Sequence, residues 1–339
     1  MNNLFCTIIS KTRVYQFLSL YKSIRSNHPQ ATLFVLCIGQ TTYPLLQEVL
    51  KNDKQVVLHK EEEIEVAHVK AIKGTRPFFE YCWTLKSIYV YQVLQWNPSA
   101  DFVSLCDSDL YFYGNITEVL SKEQPFDVLL TPETRHPAFF SKDEIIELEK
   151  TAGTYNTGFV VFKNSDEGNK VANWWMNQCI KTVSVSFKDG VFADQKYADS
   201  MSNVSNGVKE ITQHGVNVGP WNAYTYDFVV DNNRVNIHFN EKVEELILYH
   251  FHGFRMLDDN RYRTSYLEED LLGYLPSVKP LYESYVASIK GSLKQIQTVE
   301  PGYDVNQKDG ETNTDFGDEL HKYDSFKSDL STSGGAKNG

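Results

Sequence analysis

Short apolar runs alternate with amphipathic stretches along the first 130 residues of the chain. Residues 4–9, 31–38, 55–58, 102–106 and 126–130 are short, β-friendly and bounded by polar or turn-forming residues, the pattern of buried strands. Between them, residues 14–26 set Phe17, Leu18, Tyr21 and Ile24 on one helical face. Residues 42–51, 61–73 and 79–95 continue as helices, with Pro44 near the start of the first and Asn97-Pro98 closing the last. The alternation predicts a parallel, doubly wound α/β sheet rather than a barrel of hairpins.

The second half is less regular. Ser141 and Glu144 form a Ser-x-x-Glu capping box that opens a helix over 141–150. A strand is expected over 157–162 and a helix over 166–180, with Val171, Trp174, Trp175 and Cys179 apolar. Further helices are expected over 192–201, 266–274 and 281–296, and a last strong strand over 246–251. The helix over 281–296 is amphipathic; it could touch a membrane or partner, but packing against the preceding domain is its commoner use. From about residue 301 the chain turns to Gly, Ser, Asp, Lys and Asn with hardly an apolar face, and a disordered tail is expected over 301–339.

Composition narrows the function. A net charge of −11 argues against nucleic-acid binding, which wants a basic stripe. The five cysteines (Cys6, Cys37, Cys82, Cys106 and Cys179) show no Cys-x-x-Cys pair and read as reduced core thiols. No run approaches the roughly 18 apolar residues of a membrane span, and residues 4–9 are too short for a signal peptide. A cytoplasmic protein is expected, with any contact at the inner membrane face peripheral.

The strand over 102–106 runs into Asp107-Ser108-Asp109. Ligands of open α/β sheets gather at the carboxyl ends of strands, where these acids would sit. Two neighbouring carboxylates repel unless a cation lies between them, and Mg²⁺ or Mn²⁺ suits oxygen ligands. Alone, Asp-x-Asp is more often a capped turn. Lys86, mid-helix among Trp83, Leu85 and Ile88, could reach a phosphate, though a snorkelling lysine is commoner.

Several motifs agree in order with a known pattern. They are Cys6-Thr7-Ile8-Ile9, Asp107-Ser108-Asp109, Gly153-Thr154-Tyr155-Asn156-Thr157-Gly158-Phe159 and Phe192-Ala193-Asp194-Gln195. Asn217-Val218-Gly219-Pro220-Trp221-Asn222 and His250-Phe251-His252-Gly253-Phe254 complete the series. Over roughly residues 4–258 the chain resembles the GT-A-type nucleotide-sugar glycosyltransferases, in particular glycosyltransferase family 8. The resemblance implies a single Rossmann-like, doubly wound mixed sheet over 1–265, followed by a helical extension over 266–300. It implies a nucleotide sugar, a UDP-sugar above all, as donor and a glycan or lipid-linked acceptor.

Residue by residue, it implies Asp107, Asp109 and His250 as ligands of Mn²⁺ or Mg²⁺, with Asp107 and Ser108 also touching the nucleotide. The imidazole tips the choice towards Mn²⁺. Thr7 and Ile8 would meet the uracil base, Asn156 the donor sugar, and Arg255 the diphosphate in place of a family lysine. His252, two residues along a strand from His250, shares its face and competes for the metal role. Asp194 and Gln195 would stand where sugar and acceptor meet, although an Asp opening a helix is more often an N-cap. Inversion would need Asp194 as general base; retention, the family's outcome, would need only Gln195 facing the anomeric centre. Trp221 would pack on a sugar face or anchor its loop from inside.

Two other functions fit parts of this pattern. A metal-dependent phosphoesterase or nucleotidyltransferase also uses acidic strand ends, but with further carboxylates for a second metal about 4 Å away. A non-catalytic sugar-nucleotide-binding relative would keep the fold and lose the metal chemistry.

Overall fold

Strand β1 (Asn3–Ser10) is buried along nearly all its length, so it needs cover on both faces. Its alternation supplies two cores: Phe5 and Ile9 enter one, Leu4 and Cys6 the other. The computed structural model describes residues 1–64, 67–137, 140–184, 190–232, 234–258, 261–265 and 271–305. Of the disordered tail expected over 301–339, residues 301–305 instead pack on the domain, with Tyr303 buried and its hydroxyl donating to Lys11 O at 2.8 Å. Residues 306–339 and the first half of the helix expected over 266–274 lie outside the described residues.

In chain order, β1 is followed by α1 (Val14–Asn27), β2 (Leu33–Ile38), α2 (Thr42–Val49), β3 (Val56–Lys60), α3 (Ala67–Ile72), α4 (Phe78–Trp96) and β4 (Phe102–Cys106). The helix expected over 61–73 is divided, with a 3-10 turn at Glu61–Ile64 before α3. Next come β5 (Leu110–Phe112), α5 (Ile116–Glu123), β6 (Val128–Pro132), α6 (Lys142–Ala152), β7 (Tyr155–Lys163), α7 (Asp166–Lys181) and β8 (Val208–Glu210). The expected capping box opens α6: Ser141 Oγ accepts from Glu144 N, and the Glu144 carboxylate accepts from Ser141 N. A three-stranded antiparallel sheet follows, β9 (Asp227–Asp231), β10 (Arg234–Phe239) and β11 (Lys242–Glu245), then β12 (Leu248–His250). Last are the β13 (Arg255–Met256) and β14 (Tyr262–Arg263) ladder, α8 (Leu271–Tyr274) and α9 (Lys279–Val299).

The central sheet has the order β3-β2-β1-β4-β7-β6-β8. Most pairs are parallel, but β7 runs antiparallel to both β4 and β6. The wholly parallel sheet predicted from the alternation is therefore corrected to a mixed one, as the resemblance implied. A buried run reports that both faces are covered, not which way the strand points. The chain leaves β1 towards β2 on one side and returns as β4 on the other, so a switch point opens between β1 and β4.

Helices α4 and α7 pack together over one face of the sheet. Helices α1 and α9 cover the other. On α9, Leu281, Tyr282, Tyr285, Ile289 and Ile296 recur at helical spacing and are buried, and the Tyr285 ring stacks on Phe251 at 3.8 Å. Each such side chain contributes about 1.5–3 kcal/mol of burial, so α9 is part of the domain's core. One segment winds differently from expectation: in place of a helix over 192–201 stands a 3-10 helix, Lys196–Asn203, and Asp194 lies outside it without capping it. All five cysteines are free thiols. Among the described residues no helix is long and apolar enough to cross a membrane.

Candidate functional site

At the switch point the chain leaves β4 and turns. The Asp107 N–H donates to Gly158 O at 2.8 Å, tying the turn to β7. Strand β5 then pairs antiparallel with β12, with Leu110 opposite His250. Phe251 N–H donates to Asp109 O at 2.9 Å. This two-stranded ribbon brings together two distant motifs: His250 Nε2 lies 3.1 Å from Asp109 Oδ1.

The orientation of the His250 ring follows from one backbone donor. Gly158 N–H donates to Asn156 at 3.0 Å, so the accepting atom must be the amide oxygen, Oδ1. The Asn217 atom 3.1 Å from that oxygen must then be its amide nitrogen, which also donates to Thr131 Oγ1 at 2.7 Å. Asn217 therefore turns its own oxygen to His250 Nδ1, 3.2 Å away. Nδ1 carries the proton, and Nε2 faces Asp109. Outer partners of this kind fix the tautomer and aim of metal-ligating histidines. Asn217 holds the pose from a left-handed backbone, φ 59°, which asparagine tolerates better than most residues.

Burial pushes the Asp109 carboxyl up, but the charge and hydrogen bond of His250, helped by His252 and Arg13, outweigh it and hold Asp109 well below the usual range. Burial pushes His250 down, but Asp109 wins and its pKa is raised. His252 is lowered, by burial first and then by the neighbouring His250. Asp109, His250 and His252 each offer a ligand atom, all within 4.8 Å of one another. One carboxylate oxygen and two imidazole nitrogens make a donor set that fits a divalent first-row ion. The rings of Trp221, His250 and His252 meet edge to face at 5.3–5.8 Å.

Asp107 is engaged elsewhere. Its Oδ1 lies 2.9 Å from Lys86 Nζ, while the same ammonium lies 3.2 Å from Asp194 Oδ2. The Lys86 side chain is only 6% exposed, so it does not snorkel to solvent. Burial works against its charge, but the two carboxylates outweigh burial and raise its pKa. Asp194 is buried, which raises its carboxyl, and it also accepts from Thr157 Oγ1 at 3.3 Å. Asp107 remains 34% exposed.

Beside this group, Gln195 Nε2 donates to Glu133 Oε2 at 3.0 Å, and Asn156 Nδ2 donates to the same oxygen at 3.2 Å. Glu133, unsuspected from the sequence, thus joins two predicted sugar-facing residues. Thr7 and Ile8 extend β1 past its last register pair with β4, alongside Asp107; Thr7 is buried and Ile8 half-buried. Ser108 is half-buried in the turn. Trp221 is only 2% exposed, the inside anchor of its loop rather than an open platform for a sugar. Arg255 stands on β13 opposite Arg263, beyond the turn at Gly253. His252 does not displace His250: both imidazoles belong to one cluster with Asp109.

The fold and site together define a Rossmann-like α/β domain with a carboxylate–imidazole cluster at its switch point. The chain belongs to the family of YfnF, named "Uncharacterized protein YfnF", of Bacillus subtilis (strain 168), with which it is 32% identical over 303 residues, spanning 89% of this chain and 97% of YfnF. YfnD of the same organism is 28% identical over 305 residues, spanning 88% and 92%. No protein-family model matches the chain. Among solved structures, mouse xyloside xylosyltransferase 1 is similar at a TM-score of 0.46 and 10% identity, covering 74% of this chain and 97% of that one. The galactosyltransferase LgtC is similar at 0.43 and 13%, covering 73% and 86%. GlyE of Streptococcus pneumoniae TIGR4 is similar at 0.42 and 13%, covering 66% and 48%.

Proposed function

We propose that the protein is a metal-dependent glycosyltransferase. It moves a sugar from a nucleotide diphosphate donor, a UDP-sugar, to a hydroxyl of a glycan or lipid-linked acceptor, with retention at the anomeric carbon. The observation that carries this reading is the 3.1 Å meeting of Asp109 and His250 at the switch point. Around it stand two bonded groups: Asp107, Lys86 and Asp194 form one, and Gln195, Asn156 and Asn217 form another that reaches His250. A divalent ion, Mn²⁺ before Mg²⁺, would be held by Asp109 and His250 and would supply Lewis-acid stabilisation of a leaving diphosphate.

The side chains divide the remaining tasks. Thr7 and Ile8 flank the nucleotide base at the end of β1. The exposed edge of Asp107 accepts from ribose hydroxyls while Lys86 holds its other oxygen. Asn156 and Gln195 present amides to sugar hydroxyls, kept in place by Glu133. The Asp194 carboxylate is occupied by Lys86 and Thr157 and closed from solvent. That disfavours it as a general base on an acceptor and favours retention. A phosphoesterase or nucleotidyltransferase with two ions is less well served. Among the described residues, the one group of three potential ligands within reach suits a single ion. The chain would act in the cytoplasm, with any membrane contact peripheral.

Calorimetry of UDP with and without Mn²⁺ tests this reading. Binding of UDP that requires Mn²⁺ supports it; UDP binding indifferent to the metal, or none, contradicts it. Incubation with a panel of UDP-sugars then separates catalysis, seen as free UDP with sugar transferred or hydrolysed, from simple binding.

A further inference from the structure

The ligand count of the cluster has a consequence for the choice of ion. Three features bear on it. His252 lies with Asp109 and His250 inside one 4.8 Å group. The buried Trp221 ring meets both imidazoles in T-shaped contacts at 5.3 and 5.8 Å, so the two rings share one aromatic neighbour. Asp107, the other acid of the turn, is drawn off by Lys86 at 2.9 Å. From these we infer that His252 is a second imidazole ligand, so that the ion is held by Asp109, His250 and His252 while Asp107 stays with Lys86. The inference rests on the metal reading of the proposed function.

Two nitrogens and one oxygen alter selectivity. Mg²⁺ is a hard ion that keeps oxygen ligands and waters, whereas imidazole suits first-row transition ions. Each replacement of carboxylate by imidazole therefore moves the site away from Mg²⁺. With two imidazoles the site takes Mn²⁺, Co²⁺ or Zn²⁺ well and Mg²⁺ poorly, and its ligand set carries only one formal negative charge. A nucleotide diphosphate then approaches a centre that is still net positive once a dication is bound.

The test uses the full-length protein with Mn²⁺ alone. Pulsed electron paramagnetic resonance on natural-abundance and ¹⁵N-histidine-labelled protein counts the nitrogens bound to the ion. Two histidine nitrogens are expected, falling to one in His252→Asn and one in His250→Asn. A single nitrogen in the wild-type protein overturns the assignment of His252 and leaves the metal reading standing. No bound Mn²⁺ overturns both. Calorimetry gives a second measure that needs no variant: Mn²⁺ should bind about ten-fold or more tighter than Mg²⁺. In His252→Asn, Mn²⁺ affinity should drop by about ten-fold or more, since even outer-shell partners of metal ligands account for 10–100-fold. Unchanged Mn²⁺ affinity in a folded His252→Asn protein would overturn the inference.

Discussion

His250 lies against the bare backbone of Gly158: a β-carbon built on Gly158 would come within 2.6 Å of His250 Nδ1 and 2.8 Å of Asn156 Oδ1. Real β-carbons do not approach other atoms so closely, so the glycine makes the space that the imidazole and its asparagine fill. Gly158→Ala should therefore push His250 off its line to Asp109. The expected outcome is loss of Mn²⁺-dependent UDP binding by calorimetry, with overpacking lowering stability by about 1–3 kcal/mol in denaturant unfolding.

Asn217 combines a left-handed backbone with an amide that aims His250, and two substitutions separate these roles. Asn217→Gly keeps the backbone and removes the amide. Mn²⁺ affinity should fall about 10–100-fold with little change in fold. Asn217→Ala should lose the same affinity and about 1–2 kcal/mol more stability, because alanine resists φ near +60°. Equal Mn²⁺ affinity in the glycine variant and the wild type would show that the amide does not orient the ring.

Lys86 holds two acids. Lys86→Met keeps much of the side chain's bulk but leaves Asp107 and Asp194 facing each other, Asp194 without solvent. Breaking a buried pair costs about 3–5 kcal/mol; the exposed edge of Asp107 places the expected loss near the lower figure. Adding Asp194→Asn should recover part of it, read from the urea midpoints of the two variants.

The Asp109–His250 pair sets a pH dependence with a definite sign. Asp109 is lowered, so its contribution to stability is present above the unfolded carboxyl pKa of about 3.9 and is lost as pH falls through the folded value. His250 is raised, so its contribution is full below about 6.5 and is lost as pH rises through the folded value. The metal-free protein should gain most from the pair between these two unfolded values. It should lose that gain as pH rises through the raised His250 value, a loss absent from His250→Gln in thermal unfolding from pH 5 to 9. Metal binding runs the other way. A proton on His250 Nε2 competes with the ion, so Mn²⁺ affinity should rise with pH through the raised His250 pKa.

Much of this arrangement is legible in the sequence because it is local. The apolar run of β4 ending in Asp107-Ser108-Asp109 announces a strand and its carboxyl end, and β12 announces His250 in the same way. Ser141 and Glu144 spell out their own cap. What is hidden depends on partners far along the chain. The direction of β7 is hidden because both of its faces are buried whichever way it runs. The ties of Lys86 to Asp107 and Asp194 are hidden because a lysine in an apolar helix looks the same whether it reaches solvent or an acid. Glu133 carries no motif; only the fold sets it between Asn156 and Gln195. Residues 192–201 look helical from their apolar spacing, which cannot distinguish a 3-10 winding from an α-helix over so short a span.

The most direct test is the release of UDP from a UDP-sugar in Mn²⁺ by the wild-type protein and by Asp109→Asn, both checked for native unfolding. Metal-dependent UDP release by the wild type, lost in the variant, is the predicted result. Release at the wild-type rate by Asp109→Asn would contradict the assignment of this carboxylate and its imidazole partner to the metal that catalysis needs.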